Sequence, residues 1–228
     1  MYTNVNLAAP MGALALLGTG LLLLTAGLTL GYSIVTKRPR LTKFALLTIV
    51  LVAGLYLVLL LTYSFASSEK VLARGEEKHF CEIDCHLAYS ITDADETKVL
   101  GEAPNQVTAA GMFRVITIKT RFDETTIGRN RGDGLLYPNS RVVTISDVNG
   151  TQYFPSAVAQ SVLEKSQATG TPMTIPLRPS ETYSTTLVFD LPADVKNPTL
   201  LIREGELLTH FVIGHENSFL HKKTRFQI

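Results

Sequence analysis

Eight consecutive residues, His79-Phe80-Cys81-Glu82-Ile83-Asp84-Cys85-His86, bring both cysteines of the chain together with two of its five histidines. Thiolates and imidazoles are the ligands that soft metals such as copper prefer. His79, Cys81, Cys85 and His86 are therefore the candidate metal ligands, with copper as the cofactor they would suit. The same pair of thiols could also serve a redox couple or close a local disulfide. A fourth reading needs no chemistry. From His79 to Ile91 the residues alternate, with Cys81, Ile83, Cys85, Leu87, Tyr89 and Ile91 on one face, the period of a half-buried strand. Cysteines four residues apart on an extended strand are separated by about 13 Å at ~3.3 Å per residue. A disulfide requires Cα atoms within ~7 Å of each other. The expectation is one regular strand with both thiols buried and separate, behaving as small hydrophobes.

Elsewhere the chemistry is sparse. His210, His215 and His221 cluster in sequence, but His210 and His215 have opposite parity and would face opposite sides of a strand unless the chain bends near Gly214. There is no Gly-x-Ser-x-Gly elbow, no phosphate-cradling Gly-rich loop and no His-Glu-x-x-His helix. No catalytic residues are named on this basis, and the expectation is a protein that is not an enzyme and carries no cofactor, with copper as the alternative.

The elements that must position these residues begin with a membrane anchor. Residues 7–35 and 44–67 are two long apolar segments without a charged side chain, joined by residues 36–43, which hold Lys37, Arg38, Arg40 and Lys43. About twenty apolar residues at ~1.5 Å each cross a hydrocarbon core of ~30 Å, and helices satisfy their own backbone groups there. Residues 1–68 therefore read as a transmembrane helical hairpin. The basic loop against a charge-free N-terminal segment places the loop in the cytoplasm and both termini outside. The N-terminus lacks the basic start and short apolar stretch of a cleaved signal peptide, so an uncleaved anchor is expected. Gly27 and Gly31 form a small-xxx-small face suited to helix contact, with the second helix or with other membrane-protein subunits.

All 20 Asp and Glu lie after residue 68 with 17 of the 21 Lys and Arg, which gives the following 160 residues a formal charge of −3. Such a balance lacks the clustered basic footprint of nucleic-acid binders. Residues 69–78 read as a polar linker and 79–228 as one exported domain. Phe113–Phe122, Arg141–Ser146, Thr151–Phe154, Tyr183–Asp190, Thr199–Arg203, Leu207–Ile213 and Thr224–Ile228 carry strand composition, and Asn149-Gly150 marks a hairpin. Pro155–Gln167 is the one helical candidate. The fold class that follows is a two-helix transmembrane hairpin and then an all-β immunoglobulin-like sandwich with one short helix.

The succession of Leu87-Ala88-Tyr89-Ser90-Ile91, the strand ending near Phe122, Val148-Asn149-Gly150-Thr151-Gln152-Tyr153, Pro179-Ser180-Glu181-Thr182 and Leu187-Val188-Phe189-Asp190-Leu191-Pro192 resembles the telokin-like domains of exported bacterial proteins. The resemblance covers roughly residues 79–228. It implies an immunoglobulin-type sandwich behind a membrane anchor, in a family mostly of unknown function, and contributes no catalytic residues. In part, the Cys-x-x-x-Cys segment is similar to the dinuclear-copper loop of cytochrome oxidase subunit two, which also follows two membrane helices. There the His follows the second Cys at a distance and a Met comes after it, whereas here His86 is adjacent to Cys85 and the next Met is Met112. Copper chaperones of oxidase assembly share the Cys spacing but have alternating helices, and covalent haem attachment uses a spacing one residue shorter.

The functional expectation is a non-catalytic, membrane-anchored, extracytoplasmic recognition or accessory subunit in the cytoplasmic (inner) membrane of a bacterium. Its partners would be the bilayer and a larger membrane complex. The alternative is an exported copper-binding or redox protein using Cys81, Cys85 and His86.

Overall fold

The computed structural model describes residues 8–80, 85–126, 132–166 and 168–228. The chain divides into two units, and the division is not the simple cut expected at residue 68. Residues 6–68 group with 206–222, and residues 69–205 group with 223–228.

In the first unit, α1 (Ala8–Val35) and α2 (Pro39–Ala66) are each long and apolar enough to cross a membrane. α2 begins earlier than its apolar run because Pro39 suits a first helical turn. Arg40 and Lys43 are thereby drawn into its first turns, and the connecting loop shrinks from the expected 36–43 to Thr36, Lys37 and Arg38. Lys37 takes a left-handed φ of 52° to make the reversal. Of the small residues in the two helices, Ala26, Ser33, Ala45 and Ser64 are buried. Ser33 and Thr42 hydroxyls meet across the turn at 2.9 Å. Within the spans, hydroxyls fold back on their own helix: Thr25 donates to Leu21 O, Thr29 to Thr25 O and Thr48 to Phe44 O. This back-bonding lets a hydroxyl sit in hydrocarbon without an unpaired donor.

The second unit is the sandwich. One sheet has the order β1 (Lys70–Leu72), β9 (Thr224–Gln227), β8 (Thr199–Glu204), β5 (Arg141–Ser146), β6 (Gln152–Tyr153), and the other β2 (Lys78–Phe80), β3 (Leu87–Leu100), β4 (Val107–Phe122), β7 (Thr182–Leu191). β1 lies parallel to β9, so part of the expected linker 69–78 is structured and ties the start of the domain to its last strand. The Asn149-Gly150 turn joins β5 to β6 with Gly150 at φ 84° and Asp147 Oδ1 accepting from the N–H of Asn149 and of Thr151. Leu207–Phe211, expected as a strand, is instead a 3-10 turn in the first unit.

Burial follows strand parity. Leu87, Tyr89 and Ile91 of β3 and Ile116, Ile118 and Phe122 of β4 face the other sheet, with Ile145, Phe189, Leu200 and Phe226. A bulge between Ile91 and Asp93 changes the inward parity of β3, so that Ala94 rather than Asp93 continues the packed face. The odd-numbered face of β4 is covered by α3 (Ala157–Lys165): Ala109, Phe113 and Val188 pack on Ala159 and Leu163. α3 is capped by Ser156, whose Oγ accepts from Ala159 N. It also protects the edge of β7. Gln160 donates to Thr186 O at 3.0 Å and accepts from Val188 N at 3.2 Å, pairing edge groups that would otherwise template another strand.

Where β4 meets the end of β7, Asp190 accepts from Ala110 N and Gly111 N at 2.8 and 3.0 Å. A Cβ on Gly111 would stand 1.9 Å from Leu191 O, a backbone atom that cannot swing away. Gly111→Ala is therefore expected to destabilise the protein by about 1–3 kcal/mol, the cost of overpacking a fixed site. Gly134→Ala, where nothing lies within 4 Å, should leave the melting temperature unchanged. Thermal unfolding of both variants in detergent checks the contrast.

Candidate functional site

The segment expected as one strand is two. β2 ends at Phe80, β3 begins at Leu87, and these two residues are register partners in an antiparallel pair. The chain between them reverses direction. Cys85 is fully buried, adopts φ 56° and is disulfide-bonded. The expectation of separate, unbonded thiols on one extended strand is overturned, because Phe80 and Leu87, which would lie far apart on such a strand, are antiparallel partners and Cys85 is bonded. Cys81, the chain's other cysteine, lies outside the described residues, as do Glu82, Ile83 and Asp84.

The two candidate histidines lie on either side of this reversal and both lean on Asp123. β2 alternates: Lys78 and Phe80 are on one face, Glu77 and His79 on the other. Lys78 is buried with its Nζ donating to Ile202 O at 2.7 Å and Thr224 O at 3.0 Å, a bond from one sheet to the other. Phe80 lies under the Arg141 guanidinium, 4.4 Å from the ring centroid, a cation-π contact at the edge of the core. On the opposite face His79 is paired with Ala88, and Ala88 with Arg121, which brings His79 alongside the end of β4.

There His79 Nε2–H donates to Asp123 Oδ2 at 2.8 Å, with both side chains 2% exposed. Arg121 approaches the same oxygen at 3.0 Å and holds Glu77 through two parallel bonds of 2.7 and 2.6 Å. Asp123 Oδ1 accepts from the hydroxyl and the backbone N–H of Thr125 at 2.7 and 2.9 Å. His86 lies stacked on Phe122, ring centroids 5.0 Å apart. Its Nδ1 is 2.6 Å from Asp123 O, an atom that can only accept, so Nδ1 carries the proton; Thr126 Oγ1 is 2.9 Å away.

Burial pushes the Asp123 carboxyl up, but the bonds from Thr125, His79 and Arg121 outweigh it and hold the group well below the usual carboxylate range. Glu77 is held down by its hydrogen bonds to Arg121, with burial opposing. Arg121 is raised in turn, chiefly by its bond to Glu77. The arrangement is an ion cluster in its charged form.

Ligand atoms of Glu77, His79 and Asp123 lie within 4.8 Å of one another, close enough for one cation. Arg121 already supplies a positive charge between the two carboxylates, and a metal there would have to displace it. What the cluster leaves open are two imidazole nitrogens. His79 Nδ1 and His86 Nε2 are buried without a hydrogen-bond partner. Of the four candidate ligands, His79 and His86 are thus brought to one carboxylate-centred cluster, Cys85 is in a disulfide rather than a thiolate, and Cys81 is outside the described residues. Glu77, Arg121 and Asp123 were not among the sequence candidates. Arg121 and Asp123 bracket the last residue of β4, but only the pairing of β2 with β3 and of β3 with β4 reveals that His79 is their neighbour.

Fold and site together define a class: a helical hairpin able to span a membrane, followed by an immunoglobulin-like β-sandwich with one short helix. No protein-family model matches the chain, and no curated protein matches it in sequence. Among solved structures it is similar to MPT63, a secreted protein from Mycobacterium tuberculosis, at 10% identity and a TM-score of 0.42, covering 71% of this chain and 98% of that one. It is also similar to a conserved hypothetical protein from Bacillus anthracis at 13% identity and a TM-score of 0.39, covering 57% of this chain and 89% of that one. At such scores the sandwich assignment rests on the strand pairing above.

Removing one partner of a buried ion pair typically costs about 3–5 kcal/mol, because the other charge is left unpaired. Asp123→Asn is expected to fall in this range. Both carboxylates are held below their usual values, so the stability they contribute is complete above about pH 4.5 and is lost as pH falls through their lowered values. Below that pH the stability of the wild type should therefore fall more steeply than that of Asp123→Asn, as read from denaturant unfolding at a series of pH values. Parallel curves would show that Asp123 does not titrate as described.

Proposed function

We propose that this chain is a membrane-anchored recognition or accessory subunit, non-catalytic, whose sandwich stands on the outer side of the cytoplasmic membrane of a bacterium. The observation that carries the reading is the charge asymmetry of the hairpin. Lys37, Arg38, Arg40 and Lys43 are all exposed and gathered at one end of α1 and α2, in the loop and the first turns of α2. At the other end, four residues after Ala66, the chain enters β1 and the acidic remainder of the sequence. Short loops rich in Lys and Arg stay in the cytoplasm, which sets the sandwich outside.

The sandwich offers a cleft of about 500 Å³, lined by apolar side chains such as Val143, Phe154, Met173 and Leu187 with Arg141 and Glu164 at its margins. Concave, largely apolar surfaces with a few polar groups are where small ligands and peptide side chains bind. Gly27 and Gly31 have nothing within 4 Å of where a Cβ would stand, so that face of α1 is open to another membrane helix.

A second reading, an exported copper-binding or redox protein, is favoured by the unpartnered His79 Nδ1 and His86 Nε2 in the residues flanking Cys85. Thiolate ligation would first require reduction of the disulfide.

Reporter fusions at Arg40 and after Ile228 are expected to report cytoplasmic and external locations respectively; the reverse pattern would overturn the placement. The full chain purified in mild detergent, with and without prior reduction, is expected to carry no stoichiometric metal and to retain membrane subunits. Stoichiometric copper that disappears in Cys85→Ser would instead establish the second reading.

A further inference from the structure

Between β8 and β9 the chain leaves the sandwich sheets, and residues 206–222 form one unit with the membrane hairpin. Two contacts fix how far along the helices this excursion reaches. Tyr56 OH donates to Phe211 O at 2.6 Å. Gly12 lies so close to Ile213 that a Cβ there would stand 1.9 Å from the Ile213 carbonyl oxygen. Gly12 is four residues, about 6 Å, from the start of α1 and so at the edge of a centred core, whereas Tyr56 lies deeper. Tyr56 is ten residues before Ala66, the last residue of α2, which is about 15 Å along the helix. α2 has 28 residues, so centred on a ~30 Å core it overhangs by ~6 Å at each end, which leaves Tyr56 about 9 Å inside the hydrocarbon.

The segment is built for that depth. Leu207 and Leu208 are 72% and 71% exposed, Leu220 61%, Phe219 53% and Phe211 42%. Within Leu207–Leu220 the one Asp, Glu, Lys or Arg is Glu216, and it is half-buried. Backbone that is not regular helix survives beside lipid only where its polar groups are satisfied within the protein. Here Val212 N bonds Thr209 O, His215 N bonds Val212 O, Ser218 N bonds His215 O and Phe219 N bonds His210 O. The polar side chains turn inward: Asn217 Nδ2 donates to Thr209 Oγ1, His210 Nδ1 lies 2.7 Å from Asn217 O, and Asn217 and Ser218 are buried. Asn217 and Ser218 are thus inside together with Val212 and Ile213, Thr209, His210, His215 and Glu216 are half-buried, and the outward side chains at Leu207, Leu208, Phe211, Phe219 and Leu220 are all apolar.

We infer that Leu207–Leu220 is a second membrane contact, a re-entrant segment that lies in the outer leaflet with Leu207, Leu208, Phe211, Phe219 and Leu220 against acyl chains. The occupant of this apolar surface is lipid, because it continues the exposed apolar surface of α1 and α2 at the same depth. The inference rests on the hairpin spanning a bilayer.

The chain contains no tryptophan, so single substitutions give site-specific fluorescence. Leu208→Trp and Phe219→Trp report on the segment, Val58→Trp on the span and Val148→Trp, 68% exposed in the sandwich, on water. The full chain is reconstituted in phosphatidylcholine nanodiscs with and without brominated acyl chains. The two segment variants are expected to lose fluorescence to bromolipid as Val58→Trp does, with blue-shifted emission and resistance to acrylamide, while Val148→Trp is quenched by acrylamide alone. If Val58→Trp is quenched by bromolipid but both segment variants behave like Val148→Trp, the inference fails and the span stands. If both segment variants are shielded from bromolipid and acrylamide alike, protein covers the surface and the inference again fails. An unquenched Val58→Trp would overturn the span and the inference together. Two segment positions keep the test decisive should one variant misfold.

Discussion

Hydrocarbon offers a peptide group no partner, and the membrane unit of this protein is organised by that fact. α1 and α2 answer it with uninterrupted helices, and their Thr hydroxyls answer it by bonding the preceding turn. In the inferred re-entrant placement residues 206–222 answer it differently, with Thr209, His210, Asn217 and Ser218 bonded within the segment. Small residues then let the parts approach: Ser33 meets Thr42 across the helical turn, Ala26, Ala45 and Ser64 are buried, and Gly12 lies against Ile213. Association of this kind depends on close packing and internal hydrogen bonds, since lipid and leucine are equally apolar.

The sandwich is subject to the opposite accounting. Water competes for every ion, so charges are buried only where several partners converge. Asp123 gathers His79, Arg121 and Thr125, and Arg121 in turn gathers Glu77. This joins β2 to the end of β4 at the place where the chain reverses through Cys85. Lys78, one residue along β2, reaches the other way and bonds carbonyls of β8 and β9. A three-residue edge strand, paired along its length with β3 alone, is therefore also held from both faces, by an ion cluster on one and a buried ammonium on the other. That arrangement is consistent with a structural role for the cluster in the proposed recognition protein, and it leaves the apolar cleft as the recognition surface.

The sequence made the apolar spans, the Asn149-Gly150 hairpin, α3 and most of the long strands legible, because each is written in local periodicity or turn chemistry. It did not make legible what depends on pairing at a distance. Period-two alternation runs from His79 to Ile91 although Phe80 and Leu87 belong to two antiparallel strands, since alternation in two successive strands looks continuous. β1 was hidden because three residues in a polar stretch acquire strand character only by lying against β9. Leu207–Ile213 has strand composition, but Leu207–Phe211 forms a 3-10 turn that belongs to neither sheet. The candidate site was half legible. His79, Cys85 and His86 could be singled out by type, whereas Asp123 and Arg121 became neighbours only through the β2, β3, β4 register.

The central claim is that the hairpin spans a membrane with the sandwich on the side away from the basic loop. It is tested most directly by proteolysis of sealed vesicles of known orientation carrying the full chain with an epitope after Ile228. The account predicts that the sandwich and its epitope are degraded in right-side-out vesicles and protected in inside-out ones until detergent is added. Degradation in inside-out vesicles, or release of the protein from the membrane at alkaline pH, would contradict it.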